Sequence, residues 1–125
     1  MFERNGKFYV FSVTNFADLK RYFSATGKLA QAEKENSEEF SKNNDLIRYT
    51  EEICKMITDF FAEVLGKEAA AEICEGGLDS AVCERAFYSF CEYVAASTTA
   101  AAQERIQLKE KMKRYRPVSA KPPRS

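Results

Sequence analysis

The chain contains no histidine and no tryptophan. Without imidazole it lacks the side chain that most often acts as a general base near neutral pH, and with it the commonest metal ligand. Its three prolines, Pro117, Pro122 and Pro123, all lie in the last nine residues, so none breaks a helix upstream. Cysteines number four, Cys54, Cys74, Cys83 and Cys91, and no pair has the CxxC spacing of a redox or zinc motif. On a shared helix Cys83 and Cys91 would stand about 12 Å apart along the axis, beyond the reach of a disulfide or of joint zinc ligation. All four are expected as reduced thiols, mostly buried as small hydrophobes. No run of 18 apolar residues is present, so no membrane span is expected. The N-terminus lacks the apolar core of a signal peptide. The expected location is therefore the cytoplasm. Gly66-Lys67 and Gly76-Gly77 match neither phosphate-loop pattern and read as helix stops. No catalytic residue, cofactor or metal is expected.

What is present fits one domain of 125 residues with 45% hydrophobic content, enough to build a core. The ten Phe and six Tyr carry all the aromatic content. Formal net charge is zero, yet residues 1–104 carry 11 Lys/Arg against 18 Asp/Glu, while residues 105–125 carry 8 against one. An acidic body repels nucleic acid and anionic membranes. A basic end can touch an acidic partner, a nucleic acid or the body of a neighbouring copy.

Hydropathy patterning predicts a mainly α protein: a helical bundle with a short N-terminal β-hairpin over 1–116 and a flexible basic tail over 117–125. Asn5-Gly6 suits a type I′ hairpin turn, because both residues tolerate positive φ. Phe8, Val10 and Ser12 would face one side of the second strand, and Tyr9, Phe11 and Val13 the other. A lone hairpin is marginal in water, so it must dock on the helices or on another chain. Helices are predicted near 15–40, 44–65, 67–75 and 79–115. Thr14 or Asn15, the Asn43–Asp45 stretch, and Asp79 or Ser80 supply N-caps. Gly27 kinks or ends the first helix, and polar residues 31–45 form either its continuation or a mobile connection. Leu46, Thr50, Ile53, Ile57, Phe60 and Val64 recur at spacings of four and three, marking an amphipathic helix that Gly66 stops. The expected core is Ile53, Ile57, Phe60, Val64, Phe87, Phe90 and Val94.

Glu51, Glu52, Asp59, Glu63, Glu68 and Glu72 could suggest acid–base or metal chemistry, but no partner pattern accompanies them, and they read as a solvated face. The neighbouring aromatics at Phe60-Phe61 and Phe87-Tyr88 cannot share one stripe of a helix. Either those helices are buried on two sides or part of the cluster lines a groove for a partner's helix.

Three stretches together, NGKFYVFSVTNFADLKRY, CKMITDFFAEVLG and VCERAFYSFCEYV, with a basic end, resemble the small helical tail assembly chaperones of long-tailed bacteriophages and prophages of Gram-positive bacteria. The resemblance spans roughly residues 5–116 and is carried by Asn5, Gly6, Cys54, Asp59, Phe60, Phe61, Gly66, Cys83, Phe87 and Phe90. It implies a non-enzymatic role in the host cytoplasm: coating the tape measure protein, keeping it soluble and recruiting tail tube protein. The apolar contacts would come from exposed members of the set Phe11, Phe16, Phe61 and Tyr88. Electrostatic contacts would come from Lys109, Lys113, Arg114 and Arg116, reaching a second partner or a further copy in a homo-oligomer. The alternatives are a nucleic-acid-binding phage regulator that uses the basic end, and a structural helical adaptor.

Overall fold

The computed structural model describes residues 1–115. Two short strands, β1 (Phe2–Arg4) and β2 (Lys7–Tyr9), pair antiparallel with Phe2 opposite Tyr9 and Arg4 opposite Lys7. The turn between them is Asn5-Gly6, with φ of 53° and 80°. Both residues take the left-handed region that a type I′ turn requires. Tyr9, Phe11 and Val13 face the helices, whereas Phe8 and Val10 face solvent.

Four helices follow: α1 (Phe16–Asn43), α2 (Leu46–Leu65), α3 (Lys67–Ile73) and α4 (Ser80–Arg114). A 3₁₀ turn at Glu75–Gly77 joins the last two. The caps are Asn15, Asp45 and Asp79, whose carboxyl or amide oxygens accept from the N–H groups of Asp18, Arg48 and Ala81. Each satisfies an otherwise orphaned donor of the first turn. Gly27 neither kinks nor ends α1, which runs on through the polar 31–43 stretch. That stretch is held to α2 by Asn36, whose Nδ2 donates to the Tyr49 carbonyl at 3.0 Å, and by the Phe40–Tyr49 stack at 4.6 Å between centroids. Asn44, at φ 54°, then reverses the chain.

Helix α2 is central: α1, α3 and α4 all pack on it. The core is an aromatic cluster around Phe90, which is fully buried. Its ring meets Phe2 and Phe11 from the hairpin segment, Tyr22 of α1, and Phe60 and Phe61 of α2, at 5.0–6.1 Å. Of the expected core, Ile57, Phe60, Val64, Phe90 and Val94 are buried, while Ile53 and Phe87 are half-buried. Those two border an open groove between α1 and α4. The hairpin is tied down at its rim. Lys7 Nζ and Tyr9 Oη both donate to the Glu72 carboxylate of α3, at 2.8 and 3.0 Å, and Tyr93 Oη of α4 donates to the Phe11 carbonyl at 2.7 Å.

The pairing of side chains shows that α2 and α4 run parallel. Cys54 lies beside Cys83, and Phe60 and Phe61 meet Phe87 and Phe90. The two helices are offset, however. Helix α4 begins level with about the second turn of α2, and beyond Val94 none of its described residues is buried. Residues 95–114 therefore form an arm about 30 Å long that leaves the body.

Candidate interaction surface

The aromatics expected to meet a partner divide into two groups. Phe11 and Phe61 belong to the core, 2% and 0% exposed. Phe11 is turned inward by the hairpin against Tyr22, Phe90 and Tyr93. Phe61 is covered because α2 is packed on more than one side, so the adjacent Phe60 and Phe61 are both enclosed. Neither can be a partner contact. Phe16 and Tyr88 are exposed, at 74% and 62%.

Phe23, 67% exposed, joins Phe16. The two stand seven residues apart on α1, hence on one face and about 10 Å from each other. Lys20 lies between them in sequence and places its ammonium 4.9 Å from the Phe16 ring centre, a cation–π contact. The inward face of α1 is a separate stripe of Tyr22, Ala25, Leu29 and Asn36. In the sequence Phe16, Leu19, Tyr22 and Phe23 recur at helical spacing, and the structure divides them, with Phe16 and Phe23 facing outward and Tyr22 packed on the core.

Tyr88 sits elsewhere, at the groove between α1 and α4. Leu29, Ile53, Met56, Ile57 and Phe87 supply its apolar lining, with Tyr49 and Tyr88 beside them. Its charged lining residues are Glu33 and Glu84, with no cation. Its volume is about 90 Å³, less than the roughly 150 Å³ of a cavity that takes benzene. That is room for a side chain, not for a drug-sized ligand or cofactor.

Lys109, Lys113 and Arg114 lie exposed on the arm. Lys113 approaches Glu110 at 4.0 Å, a solvent-screened pair of little energetic weight. Arg116 and the 117–125 segment lie outside the described residues. Exposed Ile106, Leu108, Met112 and Tyr115 accompany the basic residues.

The titratable groups make structural contacts. Glu63 accepts from Ser24 Oγ at 2.8 Å and pairs with Lys28 at 3.2 Å, and these contacts hold its carboxyl below the usual range. Lys7 and Tyr9 do the same for Glu72. The four cysteines are free thiols. Burial, reinforced by neighbouring Cys74 and Cys54, pushes the Cys83 thiol up to about 12. Burial raises Cys74 and Cys91 as well. A thiol must lose its proton to act as nucleophile or metal ligand, and these environments oppose that loss. Among the described residues no group of three or more His, Cys, Asp or Glu is placed to hold a metal ion, and no helix is long and apolar enough to cross a membrane.

The chain belongs to the family described as "Family of unknown function (DUF6673)", whose model matches residues 5–124. No curated protein and no solved structure matches it.

Proposed function

We propose that this protein is a tail assembly chaperone of a long-tailed bacteriophage or prophage. In this reading it acts in the bacterial host cytoplasm without catalysis, binds amphipathic helical segments of the tape measure protein, and helps recruit tail tube protein. The observation that carries the reading is the exposed Phe16–Phe23 pair on the outer face of α1. A partner helix with apolar residues at i and i+7 matches that spacing, as in helix-on-groove recognition. A phenylalanine moved from water into such a contact contributes on the order of 2 kcal/mol. The resemblance of the three sequence stretches to such chaperones supplies the identity of the partner.

The test is co-expression with the tape measure protein encoded by the same phage. The wild-type chain should carry that protein into the soluble fraction. A Phe16→Ala/Phe23→Ala variant should fold normally, since both rings are exposed, and should lose about 4 kcal/mol of binding, close to a thousandfold. If the tape measure protein's solubility is unchanged by the wild-type chain, the reading fails. If the purified chain then binds DNA or RNA with a steep salt dependence, the regulator alternative replaces it.

A further inference from the structure

The offset between α2 and α4 leaves two complementary features at opposite ends of the molecule. At one end the arm, residues 95–114, projects past the C-terminus of α2. At the other, the first turn or so of α2 and the facing end of α1 extend beyond the start of α4. The open end exposes Leu46 and Ile47 and leads into the groove lined by Ile53, Tyr88, Glu33 and Glu84.

The arm is patterned to fill such a lane. In α4 the positions 83, 87, 90, 94, 98, 101, 105, 108, 112 and 115 follow one another at spacings of three or four and fall on one face of the helix. The first four, Cys83, Phe87, Phe90 and Val94, pack on the body. The later ones include Ala101, Leu108, Met112 and Tyr115, and the last three are exposed. A straight helix drifts only about 20° per heptad from this register. The face that grips the body of its own chain thus continues along the arm, and among the described residues none beyond Val94 on that face is buried.

Charge selects the occupant. Residues 95–115 carry five Lys/Arg and two Glu; residues 33–52, at the open end, carry seven Asp/Glu and three Lys/Arg. Two arms would repel each other side by side. An arm and the open acidic end attract. We infer that the arm of one copy docks into the α1–α4 groove and the open α1–α2 end of a second copy, head to tail. Leu108, Met112 and Tyr115 cover the apolar lane, and Lys109 and Lys113, on the flank of that face, lie beside Glu33 and Glu84. The contact joins two different surfaces, so a pair of copies keeps one free arm and one free groove. Such an interface closes into a ring or extends into a filament, according to its rotation. The inference is independent of what Phe16 and Phe23 bind.

The experiment is sedimentation velocity on the full-length chain across roughly 1–200 µM, a range that brackets micromolar association. The wild type should gain mass with concentration, less so at high salt, where screening shortens the reach of the charges. Glu33→Lys/Glu84→Lys and Lys109→Glu/Lys113→Glu/Arg114→Glu should each weaken association by about tenfold or more. Mixing the two charge-reversed proteins should restore it, because each then offers an arm that complements the other's groove. Met112→Asp, on the exposed arm where folding is not at stake, should also weaken association. A wild type that stays monomeric throughout means the arm serves some other partner and overturns the inference. Association that survives groove reversal but not arm reversal means the arms pair with each other, and overturns it equally.

Discussion

Replacing Phe90 by alanine should be the most damaging single truncation in this chain. The ring is 0% exposed and meets six other aromatic rings: Phe2, Phe11, Tyr22, Phe60, Phe61 and Tyr93. A buried Phe→Ala change typically costs 3–5 kcal/mol, the spread reflecting how far the site can collapse. Here collapse is hindered, because the surrounding rings sit on separate elements: the hairpin segment, α1, α2 and α4. No single rotamer change fills the void, so the cost belongs near the top of that range, about 5 kcal/mol. Against a total of roughly 5–15 kcal/mol for a domain, that removes a third or more. The melting temperature should fall by on the order of 15–20 °C. Phe90→Leu keeps most of the volume and should cost only about 1–1.5 kcal/mol. Phe16→Ala, at an exposed site, should stay within about 0.5 kcal/mol of wild type. Urea and thermal unfolding by circular dichroism measure all three. A Phe90→Ala loss below about 2 kcal/mol, or one equal to that of Phe16→Ala, would refute the view that this ring organises the core.

Two further outcomes follow from local geometry. Gly27 is exposed inside α1, and a Cβ there would meet nothing within 4 Å; Gly27→Ala should therefore stabilise by about 0.5–1 kcal/mol, read as a rise in the urea midpoint with an unchanged slope. Glu72 has a folded pKa below its ordinary value through Lys7 and Tyr9, so its contribution is present above the unfolded carboxylate value and is lost as pH falls through the folded one. Glu72→Gln should accordingly flatten the decline in stability below about pH 4.5; an acid limb identical to wild type would show that the hairpin anchor carries no linkage.

The local elements of this fold were legible because each is written in local chemistry. Asn5-Gly6 names its turn, Asn15, Asp45 and Asp79 cap their helices, and the four-and-three spacing of α2 gives its inward face. Residues 31–43 were ambiguous for a physical reason. Their helix is fastened by one buried amide, Asn36, and one ring stack, Phe40 on Tyr49, and both depend on a partner helix that periodicity does not reveal. Ala25 is buried in the core for a reason equally silent in the sequence. An alanine between polar neighbours carries little hydrophobic signal, yet the packing of α1 on α2 leaves this one only 1% exposed.

The candidate site was less legible, because exposure is a property of the assembled molecule. Periodicity says that Phe60 and Phe61 point in different directions; it does not say that α2 has packed neighbours on more than one side. The same logic explains why the arm was hidden in plain view. Positions 83–115 keep to one helical face at spacings of three or four, and no charged residue or helix breaker marks Val94 as the last buried residue. That boundary is set by where α2 ends and by how far α4 is displaced along it. The displacement converts a single amphipathic helix into two devices, a core element over its first half and a free apolar-basic face over its second. An isolated helix of twenty residues is marginal in water, and this one is sustained by alanines at 95, 96 and 100–102 and by continuity with a packed N-terminal half. Shifting α4 back by three turns would bring Arg105 to the level now held by the buried Val94 and take its charge out of water, an expensive desolvation. The basic residues thus fix the register of α4 as well as the sign of whatever the arm meets.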